Sequence, residues 1–146
     1  MKRTASAVWS GALRDGKGSI STQSGVLKDS PYTFKARFED ESGKSATNPE
    51  ELIAAAHASC FTMQLSHFLA EAGHPAKKLT TEAVVTIEPV EGKGNTITRS
   101  TLTLRGDVPG MDAAKFTELA NKAKAGCPVS RALGAIEVTL DAKLEG

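Results

Sequence analysis

The 146-residue chain carries no surplus of charge: 18 basic side chains face 17 acidic ones, for a net charge of +1, and no run of Lys or Arg stands out. The electrostatic footprint that nucleic acid requires is missing, so nucleic acid is not an expected partner. Long apolar runs are also absent. The basic start MKRTASAVWSGALRDGKG leads into no apolar stretch of signal-peptide length, and no later segment is long enough to span a bilayer. The expectation is a cytoplasmic, soluble protein with no membrane partner. No linker or low-complexity segment interrupts the chain, which by length reads as a single domain over residues 1–146. Cysteine is scarce, with only Cys60 and Cys127. A chain of this size builds a core without disulfide staples, and in a reducing compartment such a pair serves metal binding, catalysis or redox sensing.

What is there alternates strands with helices. SAVWSGAL and GSISTQSG flank Asp15-Gly16, a hairpin signal between extended runs. After Ser30-Pro31, Tyr32, Phe34, Ala36 and Phe38 alternate with Thr33, Lys35, Arg37 and Glu39, which predicts a third strand with its aromatics on one face and Arg37 on the other. A long helix follows. Asn48 suits its cap, Pro49 its first position, and Glu51 stands three residues after the cap; a cap at Thr47 would give that place to Glu50. The helix is expected to stop at Gly73, with Pro75 just beyond. Its apolar residues, Leu52, Ile53, Phe61, Met63, Leu65, Phe68 and Leu69, point in several directions around an Ala-rich stretch, which predicts burial on more than one side.

Ala83 to Ile87, a turn over Pro89 to Asn95, and Thr96 to Val108 predict a long hairpin. Asp112 then caps a helix ending at Gly126, and Cys127-Pro128 opens a short turn over Val129 to Leu133 with Cys127 as its N-cap. A closing strand alternates Ile136, Val138, Leu140, Ala142 and Leu144. The fold class is α+β, with helices set apart from antiparallel hairpins.

Both cysteines thus sit on or beside helices. A thiol attacks only as thiolate, and with an ordinary pKa of about 8.5 only about 3% is ionised at pH 7. Cys127 has the positive end of its short turn nearby. Cys60 lies mid-helix in apolar surroundings that raise its pKa, so a nucleophilic role demands a cation from elsewhere, and Arg37 is the candidate. The plain alternatives are a small core residue for Cys60 and a metal site. His57 and His67 lie within a quarter-turn of Cys60 on the helical wheel, but His67 is about 10 Å away along the axis. Neither CxxC nor HExxH occurs. His57 reads better as a packed or hydrogen-bonded histidine. Sequence does not place the cysteines within the roughly 7 Å between Cα atoms that a disulfide requires.

Thr47-Asn48-Pro49-Glu50-Glu51-Leu52, Ala55-Ala56-His57-Ala58-Ser59-Cys60-Phe61 and Lys124-Ala125-Gly126-Cys127-Pro128-Val129-Ser130 together closely resemble the OsmC/Ohr family of osmotically inducible and organic-hydroperoxide-resistance proteins. The likeness extends to Trp9, Gly16-Lys17-Gly18-Ser19, Ser24 to Leu27, Phe34 to Phe38 and Val108-Pro109-Gly110, and it favours the OsmC branch. The resemblance implies an OsmC-like fold, antiparallel sheets around long central helices in an intertwined homodimer. It implies a thiol peroxidase for organic hydroperoxides, with Cys60 peroxidatic and Cys127 resolving through a disulfide. Arg37 would hold the thiolate and Glu50 would fix the guanidinium, while Arg14 matches the place from which Ohr-type members supply their arginine. The implied reductant is a dithiol, of dihydrolipoyl type rather than glutathione; no flavin, haem, nicotinamide or metal cofactor is expected. The alternative is a redox-sensing or metal-binding stress protein without turnover.

Spacing adds a constraint. On one helix the ten residues from Glu50 to Cys60 span about 15 Å, more than the two side chains bridge. An Arg37–Glu50 pair serving Cys60 would therefore come from a second subunit. Phe61, Met63, Leu65 and the third-strand aromatics are the expected apolar walls, favouring alkyl or lipid hydroperoxides over hydrogen peroxide by about 0.8 kcal/mol per buried CH₂.

Overall fold

Strands β1 (Ala5–Ser10), β2 (Lys17–Thr22) and β3 (Ser30–Tyr32) form an antiparallel sheet in that order, in a computed structural model that describes residues 1–146. They belong to the first of two compact units, Met1–Leu52 and Ile53–Gly146. The β1–β2 hairpin turns over residues 11–16, where the Gly16 N–H donates to the Ala12 carbonyl at 2.7 Å. The Asp15-Gly16 pair is the end of this loop rather than a two-residue turn. Gly18 lies under the Trp9 and Tyr32 rings, whose centroids are 5.3 Å apart; a side chain there would collide with both.

The predicted third strand is cut short. It ends at Tyr32, and Thr33 caps a helical turn, α1 (Phe34–Phe38), its Oγ1 accepting from the Ala36 N–H at 3.1 Å. The spacing of Phe34 and Phe38 fits period two and an i,i+4 helical pair alike; the cap decides between them, and the rings meet at 5.1 Å. Arg37 is not turned away from the aromatics, because its guanidinium lies 4.9 Å from the centroid of Phe38.

Helix α2 (Pro49–Glu71) begins where the sequence places it. The Asn48 Oδ1 accepts from the Glu51 N–H at 2.8 Å, and the Glu51 carboxylate turns to the Thr47 hydroxyl, also at 2.8 Å. It ends in a Schellman motif. Gly73 takes φ 83°, the His74 N–H reaches the Leu69 carbonyl at 2.9 Å and the Gly73 N–H reaches Ala70 at 3.0 Å. Replacing Asn48 by Ala is expected to cost about 1 kcal/mol, read as a lower urea midpoint at unchanged slope.

In the second unit α2 buries one stripe, His57, Phe61, Leu65 and Leu69, spaced by four. Under it lies the sheet of β4 (Lys78–Val90), β5 (Gly94–Asp107) and β6 (Glu137–Leu144), with β5 central. Along β5 and just beyond, Ser100, Leu102, Leu104, Gly106 and Val108 alternate inward, and Phe116, Leu119, Ala120 and Ala123 of α3 (Ala113–Gly126) complete the core. Asp112 caps α3 as expected, accepting from Lys115 N–H at 2.9 Å.

Two details differ from the sequence reading. The β4–β5 hairpin closes tighter than the expected Pro89 to Asn95 turn: Pro89 pairs with Asn95, and the chain reverses over residues 91–93. Pro89 is tolerated there because β4 is an edge strand. Further, β6 joins β5 in parallel rather than extending an antiparallel set, Arg99 opposite Glu137 through Gly106 opposite Leu144. The intervening helices, α3 and α4 (Pro128–Ala132), carry the chain back to the start of β5, which is the connection a parallel pair needs.

The other side of α2 is uncovered. Ala55, Ser59, Met63 and Ser66 are exposed, Met63 to 75%, and with residues 76–81 they line an open groove. The burial expected on more than one side is supplied on one side only by this chain.

Candidate functional site

The second unit brings Cys60 and Cys127 together. Cys60 lies one turn beyond His57 on α2, partly buried and packed on the core; Cys127 is fully buried between α3 and α4. Extended backbone at Cys127, φ −60° and ψ 127°, ends one helix and starts the next, and Pro128 takes the first position of α4. Its N–H is spent on the Ala123 carbonyl at 2.8 Å, and its side chain makes no cap bond, so the thiol is left for its neighbour. Both cysteines are reduced. Burial pushes the Cys60 thiol up, and hydrogen bonding to the Cys127 thiol, with that group's charge, pushes it the same way; the Val129 N–H at the start of α4 acts against them. Adjacent reduced thiols are two electrons from a disulfide, yet these surroundings keep Cys60 in its poorly nucleophilic, protonated form.

The first unit pairs Arg37 with Glu50. The guanidinium of α1 grips the carboxylate in the first turn of α2 with two parallel bonds, Nε to Oε2 at 3.2 Å and Nη2 to Oε1 at 2.6 Å. Glu50 is buried, whereas the Arg37 side chain keeps a third of its surface exposed. The fork is thus oriented by its carboxylate and by the Phe38 face, with Nη1 making no bond within the chain. Arg14 is elsewhere engaged, 5.0 Å from the Phe34 centroid and 3.7 Å from the Glu39 carboxylate, largely in solvent.

Arg37 also edges a hollow of about 220 Å³ lined by Trp9, Leu13, Tyr32, Phe34 and Phe38. Of the expected apolar walls, Phe34 and Phe38 line this hollow. Phe61 and Leu65 are not, being sealed in the core at 0% exposure, and Met63 faces the open groove of α2.

His57 is a hydrogen-bonded core residue, as its sequence setting suggests. Its Nδ1 meets the Ser100 hydroxyl and its Nε2 the Ser130 hydroxyl, both at 2.7 Å, and burial lowers its pKa. With both nitrogens engaged, its ring has no lone pair to give a metal. His67 is exposed and sits 3.5 Å from the Glu71 carboxylate. Neither serine is marked in the sequence as a partner of the histidine, because they lie 43 and 73 residues from it.

These features define an α+β protein built around a reduced cysteine pair. The chain belongs to the OsmC family: the family model described as OsmC-like protein matches residues 41–141. It is 50% identical to the peroxiredoxin OsmC of Escherichia coli (strain K12) over 139 residues, 95% of this chain and 94% of that protein. The crystal structure of the organic hydroperoxide resistance protein OhrB of Bacillus subtilis superposes with a TM-score of 0.73 at 31% identity, covering 96% of this chain and 98% of that one. An organic hydroperoxide resistance protein from Elizabethkingia anophelis, solved with crystallant-derived thiocyanate bound, reaches a TM-score of 0.77 at 27% identity with 99% of each chain covered. The expected OsmC-like α+β fold is therefore present. No helix is long and apolar enough to cross a membrane.

Proposed function

We propose that this chain is a thiol peroxidase that reduces organic hydroperoxides to alcohols. The observation that carries the reading is the approach of its only two cysteines, both reduced, thiol to thiol. The Cys60 thiolate attacks the distal peroxide oxygen, the O–O bond breaks, and the departing alkoxide takes up a proton to leave as alcohol. Cys60 is then a sulfenic acid. The Cys127 thiol attacks its sulfur, a disulfide forms and water leaves. An external dithiol, of dihydrolipoyl type rather than glutathione, exchanges with the disulfide, restores both thiols and departs oxidised.

Ionising Cys60 is the demanding part, since its own unit favours the neutral thiol. Arg37, held by Glu50, supplies the charge and polarises the peroxide. The ten-position step along α2 from Glu50 to Cys60 amounts to about 15 Å of rise, so the Arg37–Glu50 pair that serves Cys60 belongs to a second copy of the chain. The uncovered face of α2 supports a homodimer. In this reading residues 1–146 act as a single functional domain in the cytoplasm, in defence against oxidative and osmotic stress. The Trp9–Phe38 hollow beside Arg37 takes the organic part of the substrate.

Steady-state turnover is expected to be faster with cumene hydroperoxide than with hydrogen peroxide by at least about tenfold, from the apolar area buried. It should run on dithiothreitol or lipoamide and fail on glutathione, and oxidised protein should hold no free thiol. Unspent thiols after exposure to organic peroxide, with no consumption of it, would end the reading.

A further inference from the structure

His57 is a fully buried titratable side chain in the second unit, and the peroxidase cycle gives it no chemical step. Its placement is nevertheless specific. On α2 it stands one turn before Cys60, and on α4 its partner Ser130 stands one turn after Cys127. The Nε2–Ser130 bond of 2.7 Å therefore ties the two helices together one turn away from the sulfur pair. The second bond, Nδ1 to Ser100 on the central strand β5, fixes the ring from the other side at the same distance. No polar atom in this buried cluster is left without a partner. A neutral imidazole offers one donor and one acceptor, and it spends both here on hydroxyls from two different elements. The Val129 N–H of α4 also reaches the Cys60 thiol, but Pro128 lacks an N–H and the Cys127 side chain makes no cap bond, so the Nε2–Ser130 contact is the side-chain bond that holds α4 to α2.

We propose that His57 is a positioning residue for disulfide closure: through Ser130 it holds the start of α4, and with it the Cys127 thiol, against Cys60. Closure competes with a second oxidation. The Cys60 sulfenic acid either loses water to Cys127 and becomes a disulfide, or takes an oxygen from another hydroperoxide and becomes sulfinic acid while an alcohol leaves. The first route is fast only while the two sulfurs are kept in register, since small displacements of reacting groups cost large factors in rate. His57 thus sets how much hydroperoxide the enzyme tolerates before it is inactivated, without touching the substrate.

The inference rests on the peroxidase reading for its consequence, but its core can be measured apart from it. Ser130→Ala, which removes one hydroxyl and leaves the imidazole in place, is equilibrated with mixtures of reduced and oxidised dithiothreitol, and the Cys60–Cys127 disulfide is counted by alkylation and mass. The expected result is an effective concentration about tenfold below that of the unaltered protein, matching the loss of one buried hydrogen bond. Under graded cumene hydroperoxide, the sulfinic fraction at a given dose should rise by a similar factor, while formation of the sulfenic acid in a single turnover stays unchanged. Val108→Ala, a core truncation remote in sequence from both cysteines, controls for simple loosening and should move neither quantity at comparable loss of thermal stability. Wild-type exchange in Ser130→Ala, or the same loss in Val108→Ala, overturns the inference. If the unaltered protein closes its disulfide with dithiothreitol but consumes no hydroperoxide, the peroxidase reading falls while the exchange comparison still decides the role of His57.

Discussion

Cys60→Ser is expected to abolish turnover, by at least about 10³-fold, whereas Cys127→Ser should still reduce one equivalent of hydroperoxide before it stalls. The asymmetry follows from the chemistry of the two positions. A serine hydroxyl at residue 60 is a far weaker nucleophile and forms no sulfenic acid, so the O–O bond is never broken. In the proposed cycle, a serine at residue 127 removes only the thiol that captures the intermediate. In that variant the Cys60 sulfenic acid accumulates, reacts with dimedone, and passes to sulfinic acid as more hydroperoxide is added. Stopped-flow consumption of cumene hydroperoxide, followed by mass analysis of residue 60, separates the two outcomes. If Cys127→Ser fails in the first turnover as completely as Cys60→Ser does, the division into attacking and resolving cysteines is wrong.

Arg37→Met is expected to lower turnover at pH 7 by about 10²-fold and to move the rising limb of the pH–rate profile to higher pH. The sign follows from the thiol being an acid that works in its ionised form. Burial and Cys127 already push the Cys60 thiol up, and removal of the guanidinium proposed to compensate leaves only the Val129 N–H against that push, so more alkaline conditions are needed for the same thiolate fraction. Arg37→Lys should recover only part of the loss, because an ammonium cannot reproduce the two parallel bonds to Glu50. The same variant tests where the cation comes from. Arg37→Met and Cys60→Ser chains, each inactive alone, are unfolded together and reassembled. If sites combine Cys60 of one chain with Arg37 of the other, half the dimers are mixed and each mixed dimer regains one of its two sites, so about a quarter of the activity returns. Sites contained within one chain would regain nothing, and so would a monomer.

Much of the candidate site was legible before any fold was known. The residues that define it lie in short, information-rich stretches: Asn48-Pro49 fixes where α2 starts, and so puts Glu50 in its first turn and Cys60 three turns on. Cys127-Pro128 reads as a helix junction because proline suits a first helical position and no other. The Arg37–Glu50 pair was named from resemblance and forms with two-point geometry. The misreadings have a common origin. Phe34 to Phe38 fits two periodicities, and the strand was lost because Thr33 offered a cap. Phe61 and Leu65 look like pocket walls beside a cysteine, yet their spacing of four puts them on the stripe of α2 that faces the sheet.

By itself, the sequence determined most of the elements and named the candidate reactive groups, because caps, stops and residue periods act over a few positions and are written wherever they act. Tertiary structure alone decided that β6 lies parallel to β5, that two thiols far apart in the chain meet, and that His57 spends its ring on Ser100 and Ser130. Such pairings depend on which surfaces pack once the chain has closed long loops, and no local window of residues carries that information.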